Sequence, residues 1–401
     1  MSGVIVVGGG QAGQALCEKL RGLGYEGDVT LICGEDAAPY QRPPLSKAYL
    51  LGDMTRERLS FRPEAFYDDQ GITLRKGEPV TGVDLAAREV VLGGQRLSYE
   101  TLALTTGAVA RRLPAAIGGG LDGVHTVRTL ADIDAMEPQV VEGKHALIVG
   151  GGYIGLEAAA VARKRGMQVT LVELGPRILA RVAAEETSDY FRTLHAGQGV
   201  KILEGCGLEA LLGDTSVTGA RLSTGEEIAV DLAIVGIGID PDTALAKAAG
   251  LRIENGIAVN QYGRTSEPSV WAAGDCASFP YRCERIRLES VQNAIDQAKN
   301  VAANILGGEV PYQPHPWFWS DQYDVKLQIA GLNTGYTQVV TRRGEKGQSH
   351  WYYSGNSLLA VDAMNDPRAY MVGKRLIEAG KSPAPEVVAD PATDLKPLLQ
   401  A

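Results

Sequence analysis

Four consecutive apolar residues, Val4 to Val7, open the chain, and an apolar-periodic stretch follows after three glycines and ends near Leu20. A short unbroken apolar run bounded by glycine predicts a buried strand, and the period that follows predicts a helix packed on it. Val29–Cys33 predicts a second strand, so the segment reads as a parallel βαβ unit. Short strands are expected at Ile72–Gly77 and around Val80–Val83, with a hairpin over Arg88–Leu97 turning at Gly93-Gly94. Leu102–Thr105 reads as a strand ending in Thr106-Gly107, residues 108–125 as a crossover loop, and Val127-Arg128-Thr129 as the lead into a short helix. From Ala146 the opening order returns as ALIVGGGYIGLEAAAVARKRGMQVTLVELG. Residues 200–239 add strands that end in the apolar run Leu232–Ile239. A turn and short helix (Pro241–Leu251), a strand (Val270–Ala273) and a long helix (Ser290–Leu306) come next. From His315 the chain turns aromatic, HPWFWSDQYD. Strands are expected at Lys326–Ala330, Thr337–Thr341, His350–Tyr353 and Leu358–Ala363, then a helix over Ala369–Ala379 and a proline-rich tail.

The repeated opening carries chemistry. Gly8, Gly10 and Gly13 stand in G-x-G-x-x-G spacing between strand and helix, and Gly150, Gly152 and Gly155 repeat it. The spacing permits a tight turn, close backbone approach to a pyrophosphate, and helix-on-strand packing, with the helix N-terminus aimed at the phosphates. Each unit ends its second strand in an acid, Glu35 and Glu173, placed to accept hydrogen bonds from a ribose. Two such sites suggest a permanently held flavin nucleotide and a nicotinamide nucleotide that exchanges. Glu173 favours NADH, because a carboxylate repels the extra phosphate of NADPH; Arg177 and Arg181 lie nearby as the opposing charges.

Composition narrows the classes. A chain of 401 residues predicts two or three domains, and 45% hydrophobic with 22% charged residues is the balance of a globular protein. A net charge of −9 argues against a general nucleic-acid binder. No apolar run reaches the ~18 residues of a membrane span, and no leader pattern precedes the first strand, so a cytoplasmic location is expected. The five cysteines form no close redox or metal-binding pair, the histidines show no ligand spacing, and no metal site is expected.

Three further stretches bear on a cofactor. Pro39–Lys47, PYQRPPLSK, is stiffened by three prolines, is not expected to form a regular helix, and carries Arg42 and Lys47 as fixed charges. Gly274-Asp275 ends a strand and places a carboxylate where a polyol such as the ribityl chain of FAD can donate to it; an Asx turn is the alternative. Trp317 and Trp319 suit a core or a wall beside an isoalloxazine.

In this order PYQRPPLSK, TTG, GGGYIGLE, AAGDCA, SVQNA and WFWSDQYD resemble the FAD-dependent NADH:ferredoxin reductases of bacterial oxygenase systems, the putidaredoxin reductase and biphenyl dioxygenase ferredoxin reductase family. The resemblance spans essentially the whole chain. It implies an α/β, glutathione-reductase-like fold with two Rossmann-type dinucleotide-binding domains and a C-terminal α+β domain. The implied boundaries are 1–110 with 240–316 for FAD, 111–239 for NAD, and 317–401 for the last domain. It further implies FAD contacts at Gly8, Gly10, Ala12, Gly13, Glu35, Arg42, Lys47, Val80, Thr106, Gly107, Arg128, Asp275, Val291 and Trp319. NAD contacts are implied at Gly150, Gly152, Ile154, Gly155, Glu157 and Glu173.

Lys47 and Glu157 are implied to form the catalytic pair beside the flavin, with a purely structural ion pair as the alternative. The proline-rich loop lacks the cysteine pair of disulfide reductases, so electrons are expected to leave singly for an external carrier. A [2Fe–2S] ferredoxin leads, with rubredoxin second. An NADH oxidase or peroxidase, and a signalling flavoprotein resembling apoptosis-inducing factor, are the competing classes. A basic patch from Arg282, Arg285, Arg287, Arg342 and Arg343 is the expected docking surface, against a merely solvated face.

Overall fold

The computed structural model describes residues 3–345 and 347–400. The chain divides into two compact units, Met1–Arg42 with Thr55–Val109 and Ile239–His315, and Pro43–Met54 with Ala110–Gly238 and Pro316–Ala401.

The first unit is built on a parallel sheet. Val4–Val7 has no polar position to turn toward solvent, and all four residues are buried. A strand of this kind needs neighbours on both edges and cover on both faces. Val29–Ile32 pairs on one side, Val4 opposite Val29, and Thr101–Leu104 on the other, Val4 opposite Thr101. Val270–Ala272 and Ile72–Arg75 complete the sheet at its two edges. The first strand is therefore central and the strand order reverses beside it, which is where open α/β sheets bind ligands. Helices Gln11–Gly22 and Val291–Ile305 bury Ala12, Ala15, Ala294, Ala298 and Ala302 in one core cluster. The antiparallel strands Val80–Asp84, Glu89–Leu92 and Gln95–Ser98 contribute Val90 and Leu92 to a second. Their hairpin turns at Gly93 and Gly94, φ 54° and 82°, the positive pair that a two-residue turn of matching twist requires.

The second unit repeats the plan. Its parallel sheet runs in the order Val200–Glu204, Gln168–Glu173, His145–Val149, Leu232–Val235, Val124–Thr126. Val124–Thr126 lies in the stretch expected as a crossover loop; three residues are too few for periodicity to reveal a strand. Helix Tyr153–Lys164 buries Ala158, Ala159, Ala160 and Ala162, so its alanine-rich run is a packing surface. Thr129 and Asp132 close a reciprocal capping box on helix Leu130–Met136.

The same unit holds a five-stranded antiparallel sheet in the order Trp317–Gln322, Val325–Gly331, Ser357–Met364, Gln348–Ser354, Gln338–Arg343. The sequence pattern anticipates four of these strands. The fifth, Trp317–Gln322, is concealed because its fully buried residues are the polar Ser320 and Gln322. Helix Pro367–Glu378 packs Ala369, Val372 and Leu376 into the core with this sheet, and Asp366 caps it. Pro43–Met54, expected with the first domain, belongs to the second unit. Its contacts there are specific: Tyr49 donates to Asp134 at 2.6 Å, and Lys47 pairs with Glu157. Among the described residues no helix is long and apolar enough to cross a membrane.

Candidate active site

The two glycine turns are built alike. A Cβ on Gly8 would lie 2.2 Å from the Thr105 carbonyl oxygen, and one on Gly13 would lie 2.1 Å from the Gly8 oxygen. In the second turn Gly150 meets the Gly236 oxygen at 2.5 Å, and Gly155 the Gly150 oxygen at 2.1 Å. The outer glycines are therefore required by close packing inside each turn. The middle ones, Gly10 and Gly152, have nothing within 4 Å of such a Cβ. Each is the N-cap of a 12-residue helix and makes no side-chain capping bond. Open space in front of uncapped amides is what a pyrophosphate needs, so both turns fit a dinucleotide. Thr105, which the sequence analysis passed over, secures the first turn by donating to the Gly8 oxygen at 2.9 Å.

Each strand-end acid is already oriented. Glu35 accepts from Arg42 and from the Tyr40 hydroxyl, both at 2.6 Å. The Arg42 guanidinium also sits 5.0 Å over the Tyr40 ring. Glu173 takes one backbone N–H on each oxygen, Gly151 and Gly175, both at 2.6 Å. Its remaining lone pairs are available to ribose hydroxyls. Arg177, the nearest cation in sequence, is turned inward: it donates to the Ala183 oxygen at 2.8 Å, to the Ala184 oxygen and to Ser188. It therefore makes its hydrogen bonds to neutral partners.

Glu157, on helix Tyr153–Lys164 of the second unit, is a buried carboxyl, 3% exposed. Lys47 Nζ lies 3.0 Å from its Oε1, Ser320 Oγ donates to the same oxygen at 2.6 Å, and Ser46 Oγ donates to Oε2 at 2.8 Å. Burial pushes the Glu157 carboxyl up, and Lys47 and the two hydroxyls pull it back. Lys47 is delivered by a wide turn that starts directly after Pro44: Tyr49 N–H bonds the Pro44 oxygen at 3.0 Å, and Lys47 itself sits at φ −131°, ψ −109°. Ser46 and Ser320 were missed, although each adjoins or lies within a motif singled out for other reasons.

Residues 2–298 match the family model described as pyridine nucleotide-disulphide oxidoreductase, and residues 317–399 the one described as reductase C-terminal. The chain belongs to the pyridine nucleotide-disulphide oxidoreductase family. It is 40% identical over 399 residues to rhodocoxin reductase of Rhodococcus erythropolis, covering 98% of this chain and 93% of that one. It is 43% identical to the ferredoxin reductase subunit of 5,5'-dehydrodivanillate O-demethylase from a Sphingobium species, covering 99% and 98%. The crystal structure of the covalent putidaredoxin reductase–putidaredoxin complex superimposes with a TM-score of 0.95 at 38% identity, covering 100% of this chain and 98% of that chain.

Within this family member the remaining expected residues fall as follows. In the first unit, Gly274 approaches Ala12, Arg42 feels the charge of Asp275, and the Arg287 guanidinium holds the Asp275 carbonyl at 3.3 Å. Gly8, Ala12, Arg42 and Asp275 therefore gather around one end of the sheet. Thr106 donates its hydroxyl to the Asp242 oxygen at 2.6 Å, and Gly107 has φ 72°. Val80 begins an antiparallel strand, and Val291 opens a helix whose Ser290 cap accepts from Asn293. Arg128, Trp319, Ile154 and Lys47 belong to the second unit. Arg128 donates its backbone N–H to Asp132, and Ile154 stands 42% exposed beside Gly152. Trp319 lies half-buried, its ring 5.6 Å from Trp317.

Arg342 does not join the expected arginine patch. Arg342 is buried, donating to the carbonyls of Val388, Asp390, Pro391 and Thr393. Arg285 donates to the Val259 and Ser278 oxygens, and Arg287 to those of Asn255 and Asp275. A guanidinium has five N–H donors and can span several loop carbonyls at once, and charge counts along the sequence do not reveal which arginine does so. Only Arg282 and Arg343 of the five are exposed, and they belong to different units.

Proposed function

We propose that this protein passes electrons from NADH through FAD to a [2Fe–2S] ferredoxin that serves an oxygenase or a cytochrome P450. The observation that supports the reading is the Lys47–Glu157 pair, its carboxylate buried, in a chain similar throughout to ferredoxin reductases. The bound nucleotides supply the redox chemistry, hydride from nicotinamide to flavin and then single electrons outward. The first turn, with Glu35, Arg42, Val80, Thr106, Gly107, Asp275 and Val291, holds FAD, together with Lys47, Arg128 and Trp319. The second turn, with Ile154, Glu157 and Glu173, holds NADH. Residues 1–110 with 240–316 are the FAD domain, 111–239 the NAD domain, and 317–401 the C-terminal domain. Lys47 places positive charge at the flavin, and Glu157 keeps Lys47 in position. The test is anaerobic mixing of the FAD-loaded protein with NADH, then with a [2Fe–2S] ferredoxin. Rapid flavin bleaching followed by iron–sulfur reduction is expected. Fast oxygen or peroxide consumption with no reduction of ferredoxin overturns the reading in favour of an oxidase, and reduction of rubredoxin alone overturns the choice of carrier.

Glu173 sets the nucleotide preference. Glu173→Gln keeps one carbonyl acceptor and loses the charge, so NADH binding weakens about tenfold while NADPH binding does not weaken. Titration of the flavin with each nucleotide measures it. An equal loss for both would mean that the carboxylate only shapes the loop.

The docking face is assigned to helix Pro367–Glu378. It exposes Arg368, Met371 and Arg375, and Lys374 lies 5.4 Å from the Trp317 ring centroid. Arg368, 3.7 Å from Asp394, Lys374, 3.7 Å from Glu378, and Arg375 lie on the helix with the exposed Met371, close to Trp317. Exposed arginines beside a methionine suit an acidic carrier protein. Arg368→Glu with Arg375→Glu lowers ferredoxin reduction about tenfold at low salt, flattens its salt dependence and leaves ferricyanide reduction unchanged. A parallel fall in both activities would remove docking as the cause.

A further inference from the structure

Glu157 is also the end of a buried hydrogen-bonded chain. Tyr323 Oη lies 3.4 Å from His195 Nδ1, His195 Nε2 lies 2.8 Å from Gln322 Oε1, Gln322 Nε2 lies 3.1 Å from Ser320 Oγ, and Ser320 Oγ lies 2.6 Å from Glu157 Oε1. His195, Gln322 and Ser320 are fully buried. His195 comes from helix Glu185–Gly197, while Ser320 and Gln322 alternate onto one face of strand Trp317–Gln322. Tyr323 packs edge-on against the His195 ring at 5.0 Å.

The chain has one consistent direction, assigned from the network of partners. Gln322 has a single amide oxygen, turned to His195, so His195 Nε2 carries the proton and Nδ1 accepts from the Tyr323 hydroxyl. The Gln322 amide nitrogen donates to Ser320 Oγ. Ser320 gives its only proton to the Glu157 carboxylate. Every O–H and N–H therefore points toward that carboxylate, and aligned bonds of this kind polarise one another in a dry interior. Burial holds the His195 imidazole below its usual range, which agrees with the neutral form the chain requires.

We propose that His195, Gln322 and Ser320 are positioning residues that keep Glu157 ionised and aimed at Lys47 during hydride transfer. The proposal rests on the reading that the Lys47–Glu157 pair serves that step. Two measurements on the full-length FAD-loaded protein test it. In anaerobic stopped-flow, Ser320→Ala and His195→Leu slow flavin reduction by NADH about tenfold, the effect of losing one hydrogen bond to a charged group, with NADH affinity unchanged. His195→Gln, whose amide can donate in place of Nε2, stays near the parent rate. Nitrogen NMR of histidine-labelled protein, with the signal assigned by its loss in His195→Gln, shows a neutral Nε2-protonated ring near neutral pH. A parent rate in His195→Leu, alongside a slow Lys47→Met, overturns the chain and spares the pair. A parent rate in Lys47→Met overturns the pair and this proposal with it. A protonated or Nδ1–H His195 in the NMR spectrum overturns the assigned direction whether or not the variants fold.

Discussion

Lys47→Met retains its FAD and is reduced by NADH about a hundredfold more slowly than the parent, the usual effect of removing one preorganised charge or donor from a dry site. Methionine has nearly the reach of lysine and no charge, so the wide turn after Pro44 survives. What changes is the electrostatics. Glu157, 3% exposed, keeps its two serine donors and loses the cation 3.0 Å away. Burial already pushes its carboxyl up, and removal of Lys47 drives it further toward the neutral acid. The variant thus removes the cation and weakens the carboxylate's hold on its charge. Stopped-flow reduction under anaerobic conditions, with the flavin content measured on the same sample, checks the result. An unchanged rate would remove Lys47 from the mechanism. In the parent, the rate falls as pH is lowered through the raised Glu157 pKa, because the ionised carboxylate is the working form.

Arg342→Met loosens the C-terminal tail and costs about 3 kcal/mol of stability. The guanidinium is buried and binds four backbone carbonyls between Val388 and Thr393, and its charge helps hold the Asp390 carboxyl low. Hydrogen bonds from a charged donor are each worth more than a neutral one, but they do not add, because freed carbonyls near the surface recover water. The tail is anchored in addition by Val388 and Leu395, both buried in the core with helix Pro367–Glu378. The variant therefore folds, and limited proteolysis cuts first beyond residue 384. Arg342→Lys recovers little, since one ammonium cannot span four carbonyls. Denaturant unfolding and the proteolysis pattern measure the effect; parent-like behaviour in both would show that the apolar anchors suffice.

Much of the site was legible because its demands are local. Gly8 and Gly13 are needed by atoms only a few residues or one strand away, and Gly10 is needed by what it leaves empty. Spacing along the chain records such needs directly. The same holds for Glu173, which sits at a strand end two residues from Gly175 and beside the Gly151 amide. Strand Trp317–Gln322 was less legible, because burial there falls on Ser320 and Gln322, and polar core positions carry no hydrophobic signal.

The arginines show the opposite limit. Arg282, Arg285, Arg287, Arg342 and Arg343 look alike as charges in a sequence. Arg285, Arg287 and Arg342 find carbonyl partners up to 51 residues distant, and only the folded chain separates the exposed from the enclosed.

By itself the sequence determined the two glycine turns, the acids that follow them, the doubled α/β plan and the family resemblance, since each depends on near neighbours or on period. Tertiary structure decided which hydroxyls and rings surround Glu157. Lys47, Glu157, Ser320 and His195 come from four separated segments, and hydrogen-bond direction exists only once those segments are packed together.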